Sequence, residues 1–384
     1  MAGSGLRVLP VAMFLGSFAW SFVFVSLPFH VQAISTLDPV TTLWWTGWIL
    51  GISSLVTVVT SPAWARLSAD GNPKTYYLWT QLLQAVGFFG MAIARTLVEL
   101  FLARLVLGFM GAASTFAFMM AGRSSDGSAV RREVAAVQSA MTVGQVIGPL
   151  AGAVTAASIG FRTSFVIGGL ILVGCGSLVR WGVVIPVDVL RARPREGRLP
   201  VRDVAVAVFI VLVGSTQIFF LTSILPQILP GLGVPDSDTL QMAGVVAFAS
   251  GAAAALGSLA TPRLAEAFAE RRLVTALMVT SSLCLAALAA VGSAGLYTFV
   301  RFLQVLCIAP VFPLVATRIV QYGGGQAIGL VNSARIGAAF IGPVLATSIL
   351  AWASPLALYA VLAGVGLACV PLTMLRETSP SPVT

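Results

Sequence analysis

Three arginines lie inside apolar stretches of this chain, where a charged side chain is costly and normally faces a partner or a water-filled cavity. They are Arg104, Arg301 and Arg335. Because a guanidinium grips carboxylate or phosphate through paired hydrogen bonds, the three together would make a pocket positive and favour an anionic ligand. The alternative is structural: each side chain could extend to the membrane interface, or Arg104 could pair with Glu99, five residues before it.

Uncharged polar residues accompany these arginines. Gln304 follows Arg301 by about one helical turn, and Asn332 precedes Arg335 by the same spacing, so each pair shares a helix face. Interhelical hydrogen bonding is the alternative use of such glutamines, and packing is the alternative use of a membrane tryptophan. Further candidates for binding a substrate are Gln145, Gln217 and Trp20.

Carboxylates are scarce in the same stretches and lie at their ends, as Asp38, Glu99 and Glu266 do. Proton-driven exporters usually carry an intramembrane carboxylate, because a protonatable acid converts a pH difference into a conformational bias. Glu99 is the best candidate for proton coupling that the sequence offers. His30, the only histidine, is interpreted as an interfacial residue at the outer side, with titration near neutral pH as the alternative.

The elements that must position these residues are membrane helices. The 384 residues are 58% hydrophobic and 9% charged, with a mean hydropathy of +0.97, which is far too apolar for a water-soluble surface. Apolar runs long enough to cross a bilayer can be placed twelve times, among them 75–94, 294–320 and 326–350. The sequence therefore predicts an all-α integral membrane protein with twelve transmembrane helices.

The distribution of basic residues predicts the orientation of these helices. Most of the lysines and arginines fall in loops on the side of the chain termini, and only Arg95 and Arg162 fall in loops on the other side. By the positive-inside rule both termini are cytoplasmic. The net charge of +9 is spread between apolar segments and forms no dense basic run, so nucleic acid is not expected as a partner.

A repeat divides the chain into two halves. Val137-Gln138-Ser139-Ala140 recurs as Val331-Asn332-Ser333-Ala334, and Ile147-Gly148-Pro149 recurs as Ile341-Gly342-Pro343, both at an offset of 194 residues. Such duplication is typical of secondary transporters that alternate access around a central site. The predicted domains are two pseudo-symmetric six-helix bundles, 1–185 and 203–384, joined by a cytoplasmic linker over 186–202.

These features resemble the major facilitator superfamily, and the strongest motif favours its drug/proton antiporter branch. Gly144-x-x-x-Gly148-Pro149-x-x-Gly152 is similar to that branch's antiporter motif, and Gly342 and Pro343 are its partial copy in the second half. Arg104-x-x-x-Gly108 is similar to the family's membrane-embedded arginine motif. The segment from Pro62 to Lys74 resembles the family's gating loop in a degraded form. The resemblance assigns gating to the loop residues Arg66, Asp70, Lys74 and Glu266.

The expected function is secondary active transport. The first hypothesis is export of a small amphipathic or anionic organic compound by proton antiport with alternating access; the alternatives are an importer or facilitator of a small organic anion and, more remotely, a non-transporting membrane sensor. The sequence shows no paired catalytic groups and no Cys/His spacing for a metal, so we expect neither an enzyme nor a cofactor. The expected setting is a prokaryotic plasma (inner) membrane, as a monomer exchanging its substrate for protons across the lipid bilayer.

Overall fold

A computed structural model describes residues 8–68, 72–121, 127–183 and 200–374, and in these ranges the chain forms helices and no strand. The predicted linker lies almost wholly outside the described residues, as does Asp70 of the predicted gating loop. The first half contains α1 (Val8–Phe24), α2 (Leu27–Ile34), α3 (Pro39–Ser68), α4 (Pro73–Ile93), α5 (Leu97–Phe109), α6 (Ala113–Ala121), α7 (Gly127–Ile159) and α8 (Phe161–Gly182).

The second half follows the same order. It contains α9 (Val201–Phe219), a short 3-10 turn (Leu221–Ser223), α10 (Leu225–Gly231), α11 (Thr239–Ala267), α12 (Glu270–Leu288), α13 (Ala294–Ile308), α14 (Val311–Trp352), α15 (Pro355–Ala368) and α16 (Val370–Met374). In the described residues, eleven helical segments are long and apolar enough to cross a membrane. The all-α membrane fold expected from composition is confirmed.

Two details differ from the predicted spans. The run predicted at 75–94 is α4, which falls outside those eleven because polar residues such as Gln81 and Gln84 interrupt it; both glutamines are buried where α4 packs against α5 and α8. The loop expected between 320 and 326 is absent, because helical backbone continues from Val311 to Trp352 through the glycines at 323–325. The candidate spans on either side of it are Ala294–Ile319 and Gly329–Trp352.

Four spans are interrupted, at matching places in the two halves. The first interruption separates α1 from α2 near Val25, and its counterpart separates α9 from α10. The other pair separates α5 from α6 at Gly111, and α13 from α14 at Pro310. Glycine and proline both weaken a helix at such points. Broken spans are where transporters of this architecture expose backbone groups and side chains to a ligand.

The glycine motif in α7 is a close packing seam against α1. A Cβ atom placed on Gly148 would lie 2.9 Å from the Phe18 carbonyl oxygen, and one placed on Gly152 would overlap the Phe22 carbonyl oxygen. In the second half Gly342 meets α9 in the same way, with an added Cβ 3.0 Å from the Phe220 nitrogen. Glycines four residues apart permit this approach of two backbones.

The two halves contact each other at the end of the bundle remote from the chain termini. An added Cβ on Gly51 of α3 would lie 3.0 Å from the Phe340 carbonyl oxygen of α14, and one on Gly244 of α11 would lie 3.3 Å from the Pro149 carbonyl oxygen of α7. A hydrophobic core continues across this contact, joining Val25 and Ala153 of the first half to residues of the second. This end of the bundle is closed.

The seam between α1 and α7 gives a first prediction. Gly152→Ala should lower the stability of the folded protein by about 1–3 kcal/mol, the usual cost of forcing an extra methyl into a packed interior. Gly337→Ala on α14 is the matched control, because an added Cβ there meets no atom within 4 Å. Thermal unfolding in detergent is the measurement; equal midpoints for the two variants would contradict the seam.

Candidate functional site

Arg104 is buried and bonded to a neighbouring helix. Its Nε donates to the Ile49 carbonyl oxygen and its Nη2 to the Leu50 carbonyl oxygen, both at 3.0 Å. The guanidinium also lies 5.5 Å from the centre of the Trp20 ring, a cation–π contact. In the other direction, Ser53 Oγ of α3 donates a hydrogen bond of 2.6 Å to the Arg104 carbonyl oxygen. Arg104 therefore joins α5 to α3 by donating to backbone carbonyls of α3.

Arg301 is also buried and also donates to backbone carbonyls of another helix, in this case α9. Its Nη1 donates to the Gln217 carbonyl oxygen at 2.8 Å, and its Nη2 donates to the Ile218 carbonyl oxygen at 2.7 Å. Both carbonyls belong to the last turn of α9, where a helix end leaves its acceptors without intrahelical partners. The Phe220 ring centre lies 5.1 Å from the guanidinium. Arg301 thus caps the break between α9 and α10.

A network of amides and hydroxyls surrounds this cap. Arg301 also donates to the Gln304 side-chain oxygen, and Gln304 donates to Ser281 Oγ at 2.8 Å. Ser281 donates to Gln217 Oε1 at 2.8 Å, and Gln217 in turn donates to the Leu362 carbonyl oxygen at 3.3 Å. These polar side chains are all buried. Gln217 and Gln304, both predicted to bind substrate, are therefore engaged within the second half.

The first half carries a counterpart of this network. Trp20 Nε1 donates to Gln84 Oε1 at 3.0 Å, in the positions that Gln217 and Ser281 occupy in the second half. The offset from Trp20 to Gln217 and from Gln84 to Ser281 is 197 residues, as it is from Arg104 to Arg301. The sequence analysis did not single out Gln84 and Ser281, although the 197-residue offset between Arg104 and Arg301 relates these two positions as well.

The remaining predicted binding residues lie on exposed surfaces of α7 and α14. On α7, Gly148 faces α1 and Pro149 lies next to α11, and Gln145 is exposed on the arc between these two contacts. Gln138 lies two turns earlier on the same arc and is also exposed. Ile147, on the opposite side of α7, is exposed and apolar as expected of a lipid-facing residue.

α14 repeats this arrangement. Gly342 faces α9 and Phe340 faces α3, and Asn332 and Arg335 are exposed on the arc between them. We call the space between the halves on the side of the chain termini, which these exposed arcs of α7 and α14 face, the cleft; its polar residues are Gln138, Gln145, Asn332 and Arg335.

The cleft is positive. The Arg335 guanidinium lies 4.8 Å from the centre of the Phe312 ring and forms no hydrogen bond or ion pair with another described residue. Carboxylates of the described ranges lie at or near helix ends, as in the predicted pattern. No group of three or more metal-binding side chains occurs among the residues described. The cleft can therefore bind an anion through Arg335 and hydrogen-bonding groups through its amides.

The predicted gating and coupling residues lie elsewhere. Lys74 donates a hydrogen bond of 2.6 Å to the Val183 carbonyl oxygen and so joins the start of α4 to the end of α8. Arg66 and Glu266 are exposed. Glu99 is exposed at the start of α5, where its carboxylate accepts from the Arg95 backbone nitrogen at 2.7 Å. Gating by the loop residues stays a prediction.

Glu99 is not a partner of Arg104 but one half of a capping box. The Glu99 nitrogen donates to the Thr96 side-chain oxygen, and the Glu99 carboxylate accepts a hydrogen bond from the Arg95 nitrogen, just before the helix begins. His30 is buried, with its ring centre 5.0 Å from that of Phe165, and its position at the outer interface stays a prediction. Packing of α2 against α8 encloses it.

The model of the Major Facilitator Superfamily matches residues 10–253. The chain belongs to this family. Among curated members, it is 24% identical over 339 residues to the multidrug resistance protein MdtG of Citrobacter koseri, covering 85% of this chain and 82% of that protein. It is 30% identical over 162 residues to the staphyloferrin B transporter of Staphylococcus aureus, a match that spans 41% of this chain and 38% of that protein.

Solved structures show the same superfamily fold. The nucleoside transporter NupG superposes with a TM-score of 0.76 at 14% identity, covering 97% of this chain and 99% of that one. The human organic anion transporter MFSD10 superposes with a TM-score of 0.69 at 14% identity, covering 96% and 98%. At this identity the likeness concerns the fold alone.

The cap on α9 gives a second prediction. Arg301→Ala should destabilise the protein by about 3 kcal/mol or more, because each buried acceptor left without a partner costs about 1–3 kcal/mol. Arg301→Lys should restore only part of this loss, since an ammonium lacks the planar fork that spans two carbonyls. The exposed Arg202→Ala is the control. Unchanged unfolding of Arg301→Ala in detergent would show that the network does not depend on the guanidinium.

Proposed function

We propose that this protein is a secondary transporter that exports small organic compounds carrying an anionic group, by alternating access. The observation that supports the proposal is the exposed Arg335 in the cleft. Of the three predicted membrane arginines, Arg104 and Arg301 donate to buried backbone carbonyls. The exposed Arg335 guanidinium contacts the Phe312 ring and donates no hydrogen bond to another residue in the part of the chain that the structure describes. A carboxylate, sulfonate or phosphate entering the cleft would meet this charge first.

The arrangement of the halves supports alternating access. Their contacts lie at the end remote from the chain termini, and the cleft lies at the other end. With both termini cytoplasmic, as the basic residues predict, the structure is inward-open and ready to load from the cytoplasm. Rocking of the two bundles would then expose Arg335 to the outside, and the ligand would bias which side is open.

The direction of transport is proposed from the relatives and the glycine motif. MdtG is named as a multidrug resistance protein and the second relative as a staphyloferrin B transporter. Export is therefore the first reading, and import of an organic anion through the same cleft is the second. Uptake into inverted vesicles would support export, and uptake into right-side-out vesicles would support import.

Arg335 gives the third prediction. Arg335→Gln should reduce transport of an aromatic carboxylate roughly tenfold to a hundredfold, the value of a charge-assisted hydrogen bond of about 1.5–3 kcal/mol. Transport of the corresponding uncharged amide should change little. Initial rates in proteoliposomes, at matched protein content, are the measurement, and Arg202→Gln is the control. Equal carboxylate rates in wild type and Arg335→Gln would refute the anion site.

Proton antiport is the proposed energy source, and a variant of Glu99 tests whether this residue couples protons to export. A pH gradient, acidic on the outer side, should drive export and a protonophore should abolish it.

Glu99→Gln should keep the fold, because glutamine can replace glutamate in a capping box. The Glu99 carboxylate is exposed and already bonded to backbone, so we expect the Glu99→Gln variant also to keep proton-driven transport. Loss of the pH response with a stable fold would instead restore Glu99 as the coupling group.

A further inference from the structure

Two positive charges lie together at one end of the seam between α4 and α8. Lys74 is the second residue of α4, and its Nζ donates a hydrogen bond of 2.6 Å to the Val183 carbonyl oxygen, just after α8. Arg180, in the last turn of α8, lies close enough to repel the Lys74 ammonium electrostatically. An added Cβ on Gly182 would lie 2.8 Å from Val8 of α1. The pair is therefore level with the start of α1, on the side that the basic residues predict to be cytoplasmic.

The helix geometry directs both side chains toward one groove. Gly176, one turn before Arg180, faces α4, because an added Cβ there would lie 3.9 Å from Leu78 Cδ2 and 3.7 Å from Gln81 Cβ. Leu78 in turn follows Lys74 by about one turn, so both lie on the side of α4 that faces α8. The two cations thus flank the groove between these helices from opposite walls.

Neither helix supplies a counter-ion for this pair. The segments Pro73–Ile93 and Phe161–Gly182 contain no aspartate or glutamate. The Arg180 side chain is exposed and forms no hydrogen bond or ion pair with any residue of the described ranges. The Lys74 ammonium has three donors, and Val183 accepts from one of them. Both groups can therefore donate to an anion from outside the protein.

The surface around the pair is that of a membrane interface. Trp181, next to Arg180, is 80% exposed, and Trp79 on α4 is also exposed; tryptophan favours the boundary between lipid and water. Leu82, one turn after Leu78, is exposed and apolar. An anion that fits here combines a negative headgroup at the level of the tryptophans with an apolar chain along the helices.

We propose that the groove between α4 and α8 binds an anionic phospholipid of the cytoplasmic leaflet, with Lys74 and Arg180 donating to its headgroup phosphate. A guanidinium can donate two parallel hydrogen bonds to one phosphate, and an ammonium adds a point charge. Basic pockets between membrane helices recognise anionic headgroups in this way. None of these residues belongs to the cleft, so the site stands whether or not the proposed transport does.

The first test measures lipid binding in detergent solution, by native mass spectrometry and thermal unfolding. Phosphatidylglycerol should bind about tenfold or more tightly than phosphatidylcholine with the same acyl chains, since two cations contribute. Arg180→Gln should weaken phosphatidylglycerol binding about fivefold and Arg180→Lys by less, whereas phosphatidylcholine binding should not change. The control is Arg202→Gln, because Arg202 is exposed but is followed by Asp203.

Two results of this test would overturn the proposal. Equal binding of the two lipids, or an equal loss in Arg180→Gln and Arg202→Gln, would show that the groove does not select an anionic headgroup. Glycerophosphoglycerol, the same headgroup without acyl chains, should give no stabilisation. Stabilisation by it equal to that by phosphatidylglycerol would identify a soluble phosphate compound as the ligand instead of a lipid.

The second test locates the lipid on reconstituted protein by fluorescence quenching. Phosphatidylglycerol brominated at shallow acyl carbons should quench tryptophan fluorescence more than the same amount of brominated phosphatidylcholine. Replacing Trp79 and Trp181 by phenylalanine should remove this difference, and Arg180→Gln should reduce it. The control Trp352→Phe, at an exposed position near the other end of the bundle, should leave it intact. A difference that persists without Trp79 and Trp181 would place the preferred lipid elsewhere and refute the site.

Discussion

Backbone carbonyls freed at the helix breaks are the constraint on which this structure depends. In a bilayer no water satisfies them, so the protein must supply donors from its own side chains. At the end of α5 the carbonyl oxygens of three successive residues, 108 to 110, accept hydrogen bonds from Thr57, Trp64 and Gln84. At the end of α9 the guanidinium of Arg301 serves two carbonyls at once. The helix breaks are stable because side chains of neighbouring helices donate hydrogen bonds to the freed carbonyls.

The two halves meet this constraint with different residues at equivalent positions. Trp20 and Gln84 bond in the first half where Gln217 and Ser281 bond in the second. The arginines are equivalent by sequence offset, yet Arg104 bonds the middle of α3 and Arg301 bonds the end of α9. The cleft departs from symmetry most clearly at one position, where Arg335 of the second repeat corresponds in sequence to the uncharged Met141 of the first. Under the proposed function, the charge that selects an anion therefore lies in the second half alone.

Much of the fold follows from the sequence, because apolar length and the glycine repeat are local signals. The surroundings of Arg104 and Arg301 do not follow, since their partners are backbone carbonyls, which every residue carries and no sequence pattern marks. A helix, α4, covers the run predicted at 75–94, although its glutamines keep it out of the eleven segments apolar enough to cross a membrane. The glycine triplet at 323–325, a pattern typical of a loop, is helical because α14 continues through it. The pattern Thr96-x-x-Glu99 in the sequence predicts the capping role of Glu99.

The contact between Arg335 and Phe312 connects two spans, since Phe312 lies in the segment Ala294–Ile319 and Arg335 in Gly329–Trp352. A negatively charged guest that draws the guanidinium toward itself must take it from the aromatic ring. Under the proposed function, anion binding and the contact between these two spans therefore compete for one side chain. A bound anion would then affect the neighbouring span by weakening the contact with Phe312 as well as by forming a new one with Arg335.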